Sequence, residues 1–203
     1  DWTKRFIEIA EDEREGACIF KLSRLAEELK VYIIAGFTEK RSDKLFNAAY
    51  IFSRDGNIIG KYRKVNIAKR ERYCAGDSLP VFDIDLGKIG ILICADRRWP
   101  ENVRVLAVQG AETIFIPSYG MWHGANTMWI RTRSYENGVY ICFTHPNLAL
   151  ITDPKGNISA ELRSNIEGVL VHDIDLDLVN RDHIKERRPE LYKILCANPQ
   201  KNE

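Results

Sequence analysis

The segment at positions 87–101 carries the residue types of a thiol nucleophile. An apolar run ends in Cys94, two arginines follow at Arg97 and Arg98, and Pro100 then opens a more polar stretch. A strand that ends in a nucleophile just before a helix presents that side chain at the edge of a sheet, as the nucleophile elbow of hydrolases does. The helix N-terminus and the arginines would favour a thiolate and the oxyanion that forms after its attack. Because a cysteine at a strand end is more often a small core residue, this prediction needs support from other segments.

A second candidate is Lys64, which follows a predicted strand in the sequence Tyr62-Arg63-Lys64-Val65-Asn66. A lysine at a strand end is usually a solvated surface charge, but in a pocket it can hold a developing oxyanion. Further along lie the sequences G-A-E, I-P-S and R-S-Y-E-N-G, the last of which places an arginine and an asparagine on one helix face. If the fold gathers these segments, it combines a nucleophile with a cation that stabilises negative charge.

The elements that would position these residues alternate along the chain. Apolar residues recur at helical spacing in 17–30, a helix at 100–109 has proline in its first turn and glycine after its end, and a helix at roughly 126–137 is closed by Gly138. Apolar and β-branched runs bounded by turn residues predict strands. They lie at 31–37, 48–52, 57–62, 81–85, 89–94, 113–116, 139–144, 149–158 (as a hairpin) and 169–174. This pattern predicts two layered mixed sheets covered by helices and not an all-parallel sheet.

The composition is that of one ordinary globular domain spanning residues 1–203. The formal net charge of +1 gives no field that would steer the protein to nucleic acid or membranes, and the longest apolar runs are only strand-length. Five widely spaced cysteines without a C-x-x-C pair argue against a disulfide framework or a structural zinc site. We expect a cytoplasmic protein with no metal and no cofactor, in which Cys18 and Cys142 are buried small hydrophobes.

The order of these motifs resembles the nitrilase superfamily of carbon–nitrogen hydrolases. Y-R-K is followed by G-K-I-G-x-x-I-C-x-D-x-R-x-P-E, then G-A-E with P-S, then R-x-x-E-N-G, over nearly the whole chain. The resemblance implies an α-β-β-α sandwich that pairs through its helices into homodimers or larger homo-oligomers. It also implies a Glu-Lys-Cys triad, in which Cys94 is the nucleophile and Lys64 stabilises the oxyanion.

The catalytic glutamate of that triad has no match in this chain. The family places it in a Pro-Glu motif ahead of the helix at 17–30, where this sequence has none, so we expect an N-terminal strand–helix–strand unit to be absent. Glu71 is the nearest match to a second active-site glutamate of the family. Two loops are also shorter than the resemblance implies, near 67/68 and 147/148, and we expect residues to be missing there.

The block after Cys94 is most similar to that of N-carbamoyl-amino-acid amidohydrolases. The resemblance implies that Arg97 or Arg98 binds a substrate carboxylate, and Tyr119 is a further candidate substrate contact. Either arginine could instead pair structurally with Asp96 or Glu101. The predicted partner is a small amide or N-carbamoyl substrate; an inactive binding module, a nitrilase and a transferase with the same acyl-enzyme remain alternatives.

Overall fold

The computed structural model describes residues 7–13, 15–69, 71–120 and 124–197. Its helices are α1 (Ala17–Leu29), α2 (Pro100–Val108), α3 (Ala125–Asn137) and the short α4 (Asp182–Lys185). Its strands are β1 (Ile33–Arg41), β2 (Lys44–Phe52), β3 (Ile58–Arg63), β4 (Val81–Ile84), β5 (Gly87–Ile91), β6 (Thr113–Pro117), β7 (Tyr140–His145), β8 (Leu148–Thr152) and β9 (Ile158–Arg163). No helix within the described residues is both long and apolar enough to cross a membrane.

The strands form two sheets. The first is antiparallel in the order β1-β2-β3, and the second runs β4-β5-β6-β7-β8-β9. Strands β5, β6 and β7 are parallel to one another, whereas the remaining pairs of the second sheet are antiparallel. Helices α2 and α3 connect the parallel strands, as such crossovers require. The carboxyl ends of β5, β6 and β7 therefore meet at one edge of the sheet, where Cys94 lies.

Strand β2 shows why the chain stacks into layers, because both of its faces are buried. Ala49 and Ile51 belong to the core shared with the second sheet, whereas Ala48, Tyr50 and Phe52 pack with α1. Residues of α2 and α3 join the core of the second sheet from its other face. The order of layers is thus helix, sheet, sheet, helix, which confirms the predicted mixed sheets with helices outside.

Gly60 marks a close approach of the two sheets. A Cβ atom at this position of β3 would lie 2.6 Å from the ring of Phe82 on β4. A contact that short cannot form without displacing the ring, so a larger residue here would separate the sheets. The glycine thereby brings β3, which leads directly into Lys64, against the sheet that carries Cys94.

Two expectations from the sequence are wrong. Residues 169–174 form no strand; the side chains of Val169 and Val171 are 86% and 83% exposed, and no neighbouring strand among the described residues offers them a hydrogen-bonding ladder. Cys18 is exposed, because it lies about a quarter of a turn around α1 from the buried Ile19 and Ala26. Apolar neighbours in sequence did not indicate burial here, since only one face of the helix packs.

Candidate active site

Cys94 occupies a strained turn directly after β5. Leu92 still donates its backbone N–H to Phe115 of β6, and Ile93 is extended, but Cys94 has a φ of +51°. A side chain at such a φ is uncommon and is held there only when its surroundings fix it. The chain then enters the short 3-10 helix Cys94–Arg98 and continues into α2. The predicted elbow is therefore present, and it holds the sulfur at the sheet edge.

Asp96 fixes this elbow from within. Its carboxylate accepts the backbone N–H of Ile93 at 3.0 Å, the Tyr62 hydroxyl at 2.6 Å and the backbone N–H of Asn66 at 3.1 Å. Burial raises the pKa of the fully buried Asp96 carboxyl, while these donors and the nearby charge of Lys64 act in the opposite direction. Since Tyr62 and Asn66 flank Lys64 on both sides, Asp96 ties the lysine segment to the nucleophile turn.

Lys64 is buried, with only 2% of its side chain exposed, and it is not the solvated surface charge that its position in the sequence allowed. Its Nζ lies 2.6 Å and 2.7 Å from the two carboxylate oxygens of Glu71, whose side chain is 23% exposed. A buried ammonium needs such a partner, because desolvation penalises an isolated charge. The structure therefore brings Lys64 and Glu71 together in the same region as the elbow.

Arg97 is the second buried cation of the site, and it is 0% exposed. Its Nε and Nη2 both donate to Oδ1 of Asn126, at 3.0 Å and 2.6 Å, and Nη2 also approaches the Gly120 carbonyl at 3.4 Å. Nη1 is buried without a hydrogen-bond partner among the described residues. Within those residues Arg97 forms no ion pair with Asp96 or Glu101, so the structural pairing considered from the sequence is not found.

The thiol of Cys94 has a pKa below its ordinary value. Burial alone raises the pKa, but hydrogen bonds from the backbone of Tyr119 and Gly120 and from the Arg97 side chain, together with the charge of Arg97, lower it further than burial raises it. A Cβ atom on Gly120 would lie 4.0 Å from the Cys94 sulfur, which shows how closely the loop after β6 approaches. These are the surroundings that favour a reactive thiolate.

The remaining sequence candidates lie at the rim. Tyr119 has a side chain that is 73% exposed, so its contact with the thiol is made by its backbone. Arg98 is exposed, and its guanidinium carbon lies 5.5 Å from the centre of the Trp99 ring. Sequence reasoning missed Asn126 altogether, because a single asparagine near a helix start carries no signal of its own. Asp96 could have been singled out, since it belongs to the C-x-D part of the motif.

Helix α3 holds the elbow through the R-x-x-E-N-G motif. Arg133 donates to the backbone carbonyls of Arg97 at 3.3 Å and Arg98 at 3.0 Å, and it pairs with Glu136 at 3.0 Å. The Asn137 side chain donates back to the Arg133 carbonyl.

The described residues contain no group of three or more His, Cys, Asp or Glu side chains that could hold a metal ion. The arrangement supplies a thiol, a buried ammonium, a carboxylate and a guanidinium.

This arrangement agrees with comparisons to known proteins. The model of the carbon–nitrogen hydrolase family matches residues 2–183. The chain belongs to the carbon–nitrogen hydrolase family. It is 35% identical to a nitrilase of Pyrococcus abyssi, over 91% of this chain and 78% of that protein. It is also 30% identical to an N-carbamoylputrescine amidase of Arabidopsis thaliana, over 95% of this chain and 77% of that protein. We conclude that this carbon–nitrogen hydrolase is an enzyme.

Solved structures show the same fold. A crystal structure of a carbon–nitrogen hydrolase from Helicobacter pylori G27 superposes with a TM-score of 0.82 at 25% identity, over 87% of this chain and 74% of that one. The resemblance to the nitrilase superfamily is thereby confirmed.

The alignment with the Arabidopsis protein extends over 232 positions although this chain has 203 residues, so this chain has gaps in that alignment. Strands β7 and β8 are joined by Pro146 and Asn147 alone, and this connection is one of the two short loops noted above. The expectation that residues are missing at this loop and near 67/68 stays a prediction.

Proposed function

We propose that this hydrolase cleaves the carbon–nitrogen bond of an amide or N-carbamoyl group through a covalent acyl-enzyme on Cys94. The observation that carries the proposal is the elbow at Cys94, where a thiol with a lowered pKa lies on a turn that Asp96 ties to the segment of the buried Lys64–Glu71 pair. The Cys94 thiolate attacks the carbonyl carbon, and a C–S bond forms as the carbonyl oxygen becomes an oxyanion. When the oxyanion collapses, the C–N bond breaks and the amine leaves with a proton. Water then attacks the thioester, releasing the acid and the thiol.

Lys64 is assigned to the oxyanion, and Glu71 to the proton. An ammonium that is already buried can stabilise new negative charge without reorganising solvent. The Asp96 oxygens are occupied by Tyr62 and two backbone N–H groups, so Asp96 is a poor proton carrier. The Glu71 carboxylate is bound by Lys64 and is 23% exposed, so a leaving amine and water can reach it as they cannot reach the fully buried Asp96. Glu71 therefore takes the general acid–base role within the described residues.

A substrate with a carboxylate fits Arg98 better than Arg97. Arg97 is fully buried, with Nε and Nη2 held by Asn126, whereas Arg98 is exposed beside Trp99 and forms no ion pair among the described residues. A guanidinium can bind a carboxylate in two parallel hydrogen bonds, which an ammonium cannot. Arg98→Lys should therefore reduce kcat/KM about tenfold to a hundredfold for acidic substrates and much less for neutral amides. A selective loss in Arg97→Lys instead would move this role to Arg97.

Ammonia release from a panel of amides, N-carbamoyl compounds and nitriles tests the proposal. Cys94→Ala should abolish turnover while the far-ultraviolet circular dichroism stays unchanged, and Cys196→Ala, which alters an exposed cysteine, should retain it. Full turnover by the Cys94→Ala protein would exclude the acyl-enzyme. Faster product formation with an amine acceptor than with water would indicate a transferase. Absence of turnover on every substrate would favour a binding module.

We also propose that the enzyme acts in the cytoplasm as a homodimer or larger homo-oligomer, on a small molecule and not on nucleic acid. All five cysteines are free, which suits a reducing compartment. The near-neutral formal charge suits a small substrate more than a polyanion. Light scattering at several concentrations would test the assembly state.

A further inference from the structure

Arg97 is an unusual buried cation, because the groups that accept its hydrogen bonds are neutral. Its side chain is fully buried, and yet among the described residues its polar partners are the Asn126 amide oxygen and a backbone carbonyl. Burial lowers its pKa, and the neighbouring Cys94 thiol is the group that works against this. Buried arginines are normally paired with a carboxylate, since desolvating an unpaired charge is costly. The absence of such a pair suggests that the positive charge is kept for another group.

The geometry around the guanidinium fixes its orientation closely. Oδ1 of Asn126 receives both Nε and Nη2, which are the two donors on one edge of the planar fork. The faces of the fork are covered by Trp129 and Phe143, whose ring centres lie 5.5 Å and 5.3 Å from the guanidinium carbon. Asn126 and Trp129 lie one turn apart on α3, so a single helix face holds the group. The edge that carries Nη1 remains without a hydrogen-bond partner.

We propose that Asn126 is a positioning residue that holds the Arg97 guanidinium against Cys94 without neutralising it. This inference rests on the proposed function, because it assigns the orientation of a group that serves the Cys94 nucleophile. A carboxylate at position 126 would accept the same two hydrogen bonds, but its charge would cancel the field that Arg97 exerts on the sulfur. An amide orients the fork and leaves the field intact. The role assigned to Asn126 is to orient Arg97.

Other charged groups near the nucleophile do not replace Arg97. Lys64 is bound to Glu71, and the Asp96 carboxylate is held by Tyr62 and by backbone N–H groups. Among the described residues, the side chain that lowers the pKa of the thiol is Arg97, and the loop that follows β6 brings the two together: the Gly120 carbonyl lies 3.4 Å from Nη2 of Arg97, and a Cβ atom on Gly120 would lie 4.0 Å from the Cys94 sulfur. A change that releases Arg97 should therefore appear first in the ionisation of Cys94.

The test follows the alkylation of Cys94 by iodoacetamide between about pH 5 and about pH 10, resolved by peptide mass spectrometry. The pH profile of alkylation reports the thiolate without requiring turnover. Asn126→Ala and Asn126→Asp should each raise the midpoint for Cys94 by about one unit and slow its alkylation near neutral pH roughly threefold to tenfold. The exposed Cys196 in the same sample is the internal reference.

Asn137→Ala is the matched control, since Asn137 is also a buried asparagine on α3, but its side chain donates to the Arg133 carbonyl. It should lower the melting temperature and leave the Cys94 midpoint unchanged. An unchanged midpoint in Asn126→Ala would overturn the inference, and so would equal shifts in Asn126→Ala and Asn137→Ala. If the midpoint moves as expected in a protein without hydrolase activity, the positioning role stands and the proposed function fails.

Discussion

The pairing of Lys64 with Glu71 predicts an asymmetric cost when either partner is removed. Lys64 is 2% exposed, and Glu71 is 23% exposed. Glu71→Gln leaves a buried ammonium that water cannot reach, and removing one partner of a buried pair costs about 3–5 kcal/mol. Lys64→Met leaves a carboxylate that can turn towards solvent, so its cost should be about 1–2 kcal/mol. Asp96 also interacts with Lys64, but burial raises its pKa and limits how well it can replace Glu71.

The double variant Lys64→Met/Glu71→Gln should be less destabilised than Glu71→Gln, because no buried charge remains. The cycle should then give a coupling free energy of about 3 kcal/mol between the two positions. Urea unfolding with a common m-value measures each free energy, and Glu71→Gln should lower the melting temperature by about 10 °C for a domain of this size. Lys88→Met, which breaks an exposed 3.9 Å pair with Asp83, is the control and should change stability by less than about 1 kcal/mol. Additive effects, or a larger cost for Lys64→Met than for Glu71→Gln, would refute this account of the pair.

Three further predictions concern catalysis, pH and the cysteines. Lys64→Met should lower kcat by about two to three powers of ten with little change in KM, because the oxyanion exists only after attack; a rise in KM alone would assign Lys64 to substrate binding. The pKa of Cys94 is lower in the folded protein than in the unfolded chain, where it is about 8.5, so its ionisation contributes stability that is fully present above about pH 8.5 and is lost as pH falls through the folded pKa. The stability difference between wild type and Cys94→Ala should thus grow as pH rises towards 8.5, and a flat difference would contradict the lowered pKa. Cys142→Ser should destabilise the protein measurably in thermal unfolding, since a hydroxyl is costly to bury where burial raises the pKa of the thiol to about 12, whereas Cys18→Ser at an exposed site should change stability little.

The sequence determined most of the helices and strands and the two central candidate catalytic residues, Cys94 and Lys64. Periodicity located α1, and the proline and glycine signals at helix ends located α2 and α3, each to within a few residues. The run into Cys94 predicted the elbow, because strand, turn and proline-started helix are local features of the chain. Local pattern also misled where pairing was needed: residues 169–174 have the composition of a strand but no partner strand among the described residues. A strand depends on a neighbour, and a single sequence does not show which neighbours are present.

Only the tertiary structure decided which charges are buried and what holds them. The sequence allowed Lys64 to be a surface residue. In the folded chain its segment is bound to Asp96 through Asn66, and the lysine itself is buried and paired with Glu71. The choice between the two arginines likewise came from packing, which buries Arg97 against Asn126 and leaves Arg98 exposed. The environment of an ionisable side chain is set by groups distant in sequence, and adjacent residues such as Arg97 and Arg98 can point into opposite surroundings. The residue types therefore follow from the sequence, whereas burial, pKa and orientation follow from contacts that form only in the folded chain.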